Sequence, residues 1–219
     1  MRWMALAAAM ALTGGAARAD DPGFQPLFDG RTLAGWRVVG QGAWLVRDGE
    51  IACPGTGGSW LRTERQYGSF RLRLEYRIPP GANSGIFVRV PENGRSSRQG
   101  FEVQILDDFG KPPSVTGTGS LYQVVAPTVN ASRPAGEWNE MEITCDGPRI
   151  RIVLNGVAVI DTRADDAALN AARAVLFKPA LRSRRGYIGL QDHGAGVRFR
   201  NLRIHELPPA DARPALDLD

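Results

Sequence analysis

Glu102, Gln104 and Asp107 lie in the stretch Gly100-Phe101-Glu102-Val103-Gln104-Ile105-Leu106-Asp107-Asp108, where polar and apolar residues alternate. In an extended chain successive side chains point to opposite faces. Phe101, Val103 and Ile105 would then face a core, with Glu102 and Gln104 together on the other side, about 6.6 Å apart. A bulge near Leu106 would return Asp107 to the Glu102 face. A row of acid, amide and acid suits glycosidic chemistry, in which two carboxyl groups flank the bond that breaks and their separation sets the outcome. The plain alternative is an outer strand whose polar residues are simply solvated.

A second polar cluster is Gly189-Leu190-Gln191-Asp192-His193-Gly194. With Ile188 and Leu190 inward, Gln191 and His193 share the other face. His193 is one of two histidines, and imidazole titrates where a proton carrier must, or binds a metal. The third is Ala82-Asn83-Ser84-Gly85, with Arg89 on the polar face of the strand that follows. Asn83 and Arg89 offer the paired donors and acceptors that hold sugar hydroxyls, although Asn-Ser-Gly is also ordinary turn chemistry. Trp60, Tyr67, Tyr122 and Trp138 are the aromatics available to stack on a sugar ring, each of them equally usable as core.

The elements that must position these groups are strands. Phe70 to Ile78 places apolar side chains at every second position and charges between them, the pattern of a sheet with one buried and one wet face. The alternation recurs at 86–90, 101–105, 141–145, 150–154, 157–160, 187–190 and 197–204. Asn155-Gly156 between two of these runs predicts a type I′ hairpin. Many short alternating strands separated by Gly, Pro and Asn predict an all-β fold, an antiparallel β-sandwich or jelly roll. Only Asp165 to Leu176 could form a helix of any length, and it sits within a long connection from Arg163 to Gly186, where a loop with one or two helical turns is expected.

Residues 1–19 carry Arg2, an apolar stretch of about ten residues, and Ala17-Arg18-Ala19, the order of a cleavable secretory signal. That stretch is too short to span a bilayer. The expectation is a periplasmic or secreted protein cut near Ala19, with one domain over residues 20–207 and a loose tail over 208–219. The net charge of +4 comes from arginines scattered along strands, which argues against a nucleic-acid surface, where basic residues gather on one face. Cys53 and Cys145, the two cysteines, form either one disulfide or two separate buried thiols. The chain has no Gly-x-Ser-x-Gly, phosphate-cradling loop, dinucleotide fingerprint or His-Glu-x-x-His, so a Ser triad or a P-loop is unsupported.

An ordered set of segments resembles the 3-keto-disaccharide hydrolase family. They are Leu27-Phe28-Asp29-Gly30, Gly35-Trp36, Asp48-Gly49-Glu50-Ile51, Asn83-Ser84-Gly85-Ile86-Phe87, Gly100 to Asp107, Gly136-Glu137-Trp138-Asn139, Leu154-Asn155-Gly156, Gly189 to Gly194 and Phe199-Arg200-Asn201. The resemblance implies a concanavalin-A-like jelly roll, related to bacterial endoglucanases of the laminarinase kind. Their catalytic strand reads Glu, x, Asp, x, x, Glu; here Glu102 keeps the first place, Gln104 replaces the central acid and Asp107 the last.

Those replacements suit a different reaction. A ketone at C3 acidifies the C2 proton, so a base can remove it, the C1 substituent can leave, and water can add back. The chemistry requires a base, a group to stabilise the enolate oxygen and an acid for the leaving group. The catalytic candidates are Glu102, Asp107 and His193: Glu102 or His193 as base, Asp107 or His193 as acid. Asn83, Arg89, Gln104, Tyr122 and Gln191 are the substrate-binding candidates, with a divalent metal as a possible aid to the enolate. A carbohydrate is the expected partner, with no nucleic acid, membrane span or obligate protein partner. The main alternative is a non-catalytic carbohydrate-binding module built on the same sandwich; an accessory module of an envelope assembly is a third reading.

Overall fold

The computed structural model describes residues 22–91, 99–166 and 184–209. Every named element among them is a strand: β1 (Gln25–Pro26), β2 (Trp36–Val39), β3 (Leu45–Arg47), β4 (Glu50–Ala52), β5 (Ser59–Thr63), β6 (Phe70–Arg77), β7 (Asn83–Val90), β8 (Phe101–Leu106), β9 (Trp138–Asp146), β10 (Arg149–Leu154), β11 (Val157–Arg163), β12 (Tyr187–Asp192) and β13 (Arg198–Glu206). They form an eight-stranded sheet in the order β11-β10-β9-β6-β13-β4-β3, with β1 added to β13, and a five-stranded sheet in the order β2-β5-β12-β7-β8. The strand pairs are antiparallel. The signal segment and most of the tail and of the 163–186 connection lie outside the described residues. No helix among the described residues is long and apolar enough to cross a membrane.

The alternating pattern explains the layering. Phe70, Leu72, Leu74 and Tyr76 of β6 point inward and meet Ile86, Val103, Ile105, Ile188 and Leu190 from the smaller sheet in one continuous core. Each such side chain taken from water contributes roughly 1.5–3 kcal/mol. The outer face of the larger sheet is wet and carries ion pairs, among them Arg71 and Arg73 on Glu142 and Arg200 on Glu75. Asn155 and Gly156 take positive φ of 49° and 84°, and Leu154 pairs with Val157: the type I′ turn that the dipeptide predicts. Cys53 and Cys145 are two separate buried free thiols.

One irregularity changes the site. β12 and β7 pair Gly189 with Phe87 but Tyr187 with Val90, so β7 uses one residue more than β12 over that interval. Within the bulged stretch Arg89 has a φ of 56°. The extra residue turns Arg89 off the polar face expected for it. Its side chain is buried, with Nη2 donating to the Gly68 carbonyl at 3.4 Å.

Candidate carbohydrate site

The outer face of the five-stranded sheet collects the polar residues that the alternation predicts. The register sets them in two rows. In one, Trp60 of β5 lies opposite Gln191 of β12, and on the neighbouring pair Gly85 of β7 lies opposite Gln104 of β8. In the other, Arg62 lies opposite Gly189, Gly189 opposite Phe87, and Phe87 opposite Glu102. Asn83 continues the face at the end of β7.

A short segment of the loop after β8 extends the rows beyond the sheet edge. Gln104 N donates to Ser120 O at 3.0 Å, Tyr122 N donates to Glu102 O at 2.9 Å, and Val103 bridges to Leu121. Leu121 therefore joins the core, while Ser120 faces across to Gln104 and Tyr122 to Glu102. Asp108 anchors this segment: Thr118 N donates to its Oδ2 at 2.9 Å and Thr118 Oγ1 to its Oδ1 at 2.6 Å.

Glycines make the room. An ideal Cβ on Gly85 would stand 2.7 Å from Glu102 Oε1 and 2.9 Å from its Cγ, so the Glu102 side chain occupies the space that any larger residue at 85 would take. On Gly189 the same atom would stand 2.2 Å from Trp60 Cε3, so the indole lies across that glycine. Trp60 thereby meets Phe87 edge-on at 5.7 Å between centroids.

This face is walled in rather than open. Glu102 is only 6% exposed and Gln104 2%. Burial pushes the Glu102 carboxyl up to about 7, with hydrogen bonding from the Gln191 side chain pulling the other way. Gln104 Nε2 donates to Asn83 Oδ1 at 3.2 Å. Three buried oxygens on the face have no partner: Gln104 Oε1, Gln191 Oε1 and Ser120 Oγ. Buried polar atoms without partners are rare in folded proteins, and a set of them beside a carboxylate asks for a hydroxyl-bearing ligand.

The other expected residues fall differently. Asp107 does not return to the Glu102 face by a bulge, because the β7–β8 register runs without a shift from Asn83↔Leu106 to Val88↔Phe101. Its Oδ2 instead accepts from Gly81 N at 2.8 Å, bracing the loop that enters β7. His193 is exposed just beyond β12. The turn that carries it is fixed by Asp192, which is buried. Burial works to raise that carboxyl, but hydrogen bonds from Gly194 N, Gly57 N, Cys53 and Thr56 hold it below its ordinary value. Of the aromatics, Tyr67 is core and Trp138 lies on the larger sheet beside Arg77 and Arg200, whereas Trp60 and Tyr122 belong to the site. Among the described residues no three His, Cys, Asp or Glu side chains gather to hold a metal ion. Ser120 and Arg62 were not expected from the sequence; the alternation of Ser59-Trp60-Leu61-Arg62-Thr63 was the available signal for the second.

The architecture and this face define a carbohydrate-acting β-sandwich of the glycosyl hydrolase and lectin kind. The chain belongs to the family described as the 3-keto-alpha-glucoside-1,2-lyase-like domain, whose pattern it matches over residues 23–205. It is similar to the 3-keto-disaccharide hydrolase of Bacteroides thetaiotaomicron, with 27% identity over 231 aligned residues covering 86% of this chain and 80% of that one. Among solved structures it is similar to a protein of Parabacteroides distasonis described as a glycosyl hydrolase, with 26% identity, a TM-score of 0.76, and 85% and 94% of the two chains covered. A carbohydrate-binding module of Bacillus subtilis shares the fold at 14% identity and a TM-score of 0.57, over 78% and 96% of the two chains.

Proposed function

We propose that the protein cleaves the glycosidic bond of 3-keto-disaccharides or 3-keto-glycosides by elimination followed by addition of water. One observation carries the reading: among the described residues the face holds a single carboxylate, Glu102, poised near neutrality and surrounded by amides. Ordinary glycoside hydrolysis needs a second carboxyl group across the bond. Proton abstraction next to a ketone needs one base and donors for the enolate oxygen.

In this mechanism ionised Glu102 takes the C2 proton. The electron pair moves onto the C3 oxygen, where N–H groups of Gln104, Gln191 and Asn83 stabilise it. As the enolate collapses the C1–O bond breaks, and His193, at the accessible end of the face, delivers a proton to the departing oxygen. Water then adds to C1 and a proton returns to C2, so the sum is hydrolysis. The unpaired Gln104 Oε1 and Ser120 Oγ accept sugar hydroxyls, and Tyr122 flanks the ring. The order of Arg2, an apolar stretch and Ala17-Arg18-Ala19 at residues 1–19 supports a periplasmic or secreted setting for this reaction.

The test is product release from 3-keto-trehalose with trehalose as control. Cleavage confined to the keto sugar and abolished in Glu102→Gln supports elimination. Cleavage of both sugars would transfer the protein to ordinary glycoside hydrolysis, and binding without release would make it a carbohydrate-binding module.

A further inference from the structure

Across the face from Glu102, two arginines meet in register on the strands at the far edge of the smaller sheet. Arg37 of β2 lies directly opposite Arg62 of β5, and like charges placed opposite each other on neighbouring strands destabilise a sheet. On the larger sheet arginines also face one another, Arg77 opposite Arg198 and Arg149 opposite Arg163, but there Glu50, Asp161 and Asp165 lie alongside to neutralise them. Arg37 and Arg62 have no such acid among the described residues. Arg62 is half-buried, and its Nη1 is enclosed without a hydrogen-bond partner. Its guanidinium lies 3.7 Å from the centre of the Tyr187 ring. Stacking fixes the plane of the group, and a planar guanidinium is the side chain that takes a carboxylate through parallel N–H bonds.

Arg62 shares a row with Glu102, three strand spacings away, about 14 Å between backbones. Half-buried Trp60, braced over Gly189 and against Phe87, lies between the arginine and the polar pocket. We propose that this end of the face is an anion subsite, in which Arg62 and Arg37 bind a carboxylate on the leaving group of the substrate while Trp60 packs against the body of that group. The preferred substrates are then acidic 3-keto-glycosides. The inference rests on the elimination reading for where the leaving group lies, but the binding of the anion does not.

Two matched pairs of substrates test it. The first is the 3-keto-glucoside of 4-hydroxybenzoate against that of its methyl ester; the second is a 3-keto-disaccharide ending in glucuronate against its glucose counterpart. The carboxylated member of at least one pair is expected to show a KM at least tenfold lower, with the advantage shrinking as salt is raised. The pair that shows it identifies the source of the carboxylate. Arg62→Gln and Arg37→Gln should each pull the ratio towards one, with Arg62→Lys keeping part of it. Calorimetric binding of the unoxidised 4-carboxyphenyl glucoside reads the subsite without turnover, and Arg37→Gln serves if Arg62→Gln fails to fold. Arg62-dependent binding with no cleavage of any keto sugar would keep the subsite and sink the elimination mechanism. Cleavage with no preference in either pair, and binding unchanged in both variants, would overturn the subsite.

Discussion

Glu102 is a carboxyl group held where water is scarce, and its pH behaviour follows from that. Unfolded, it would titrate near 4.5; folded, burial moves it to about 7. A raised folded value means that the native state prefers the protonated form. The cost of Glu102 is therefore absent below pH 4.5, grows as pH rises and is complete above 7, where it reaches roughly 3 kcal/mol. Glu102→Gln should consequently be more stable than the parent by roughly 1–3 kcal/mol at pH 8 and about equal at pH 4, measured by urea unfolding, while losing activity on a 3-keto sugar by a factor of about 10³ or more. If Glu102 is the base, kcat/KM rises with pH through a midpoint about 7; a fall through the same midpoint would assign it the acid's role. Gly85→Ala tests the space beneath it: the added methyl must displace the Glu102 side chain from Cγ outward rather than the backbone, so activity should fall by about tenfold or more. Alternation alone placed Glu102, Gln104 and Gln191 on one face. It failed for Arg89 because a bulge changes parity without leaving a mark in residue types; Asp107 could have joined the face only through a bulge near Leu106, and the register has none.

The elements most legible in the sequence are the long ones. β6, β9, β10 and the Asn155-Gly156 hairpin announce themselves by period and turn chemistry, and the structure has them within a few residues. The strands before β6 run from two to five residues, too short for period two to stand out from chance, so β5 and its Arg62 went unread, and Trp60 was named only as an aromatic. The segment at 119–122 was equally hidden, because its place beside β8 is set by Asp108 and Thr118 and not by its own pattern. Asp108→Ala removes the acceptor of the buried Thr118 N–H, while the Thr118 hydroxyl keeps the Leu106 carbonyl. Leaving that N–H unpaired costs about 1–3 kcal/mol. The expected result is a lower Tm together with a raised KM, since Ser120 and Tyr122 lose their bracing, and hydrogen exchange should quicken at residues 117–122 before it does in β6.

At the scale of the molecule, the sandwich keeps its two thiols apart and unreactive. Burial pushes Cys53 up to about 12 and Cys145 up to about 11, so neither offers a thiolate at neutral pH. Tm should be the same with and without reductant, and a thiol-specific dye should titrate two groups only after the protein is unfolded. The order of the strands has a further effect. β12 stands between β5 and β7 in the smaller sheet, and β13 stands between β6 and β4 in the larger. Each sheet thus receives an interior strand from the last part of the chain, and until residues 187–206 arrive β5 and β7 have no partner through which to align. A nascent or truncated chain ending before Tyr187 cannot bring Arg62, Gln191 and Glu102 onto one surface. Closing such distant contacts is slow, on the order of milliseconds to seconds for sandwiches of this kind, and the face that holds Glu102 is complete only once β12 has docked between β5 and β7.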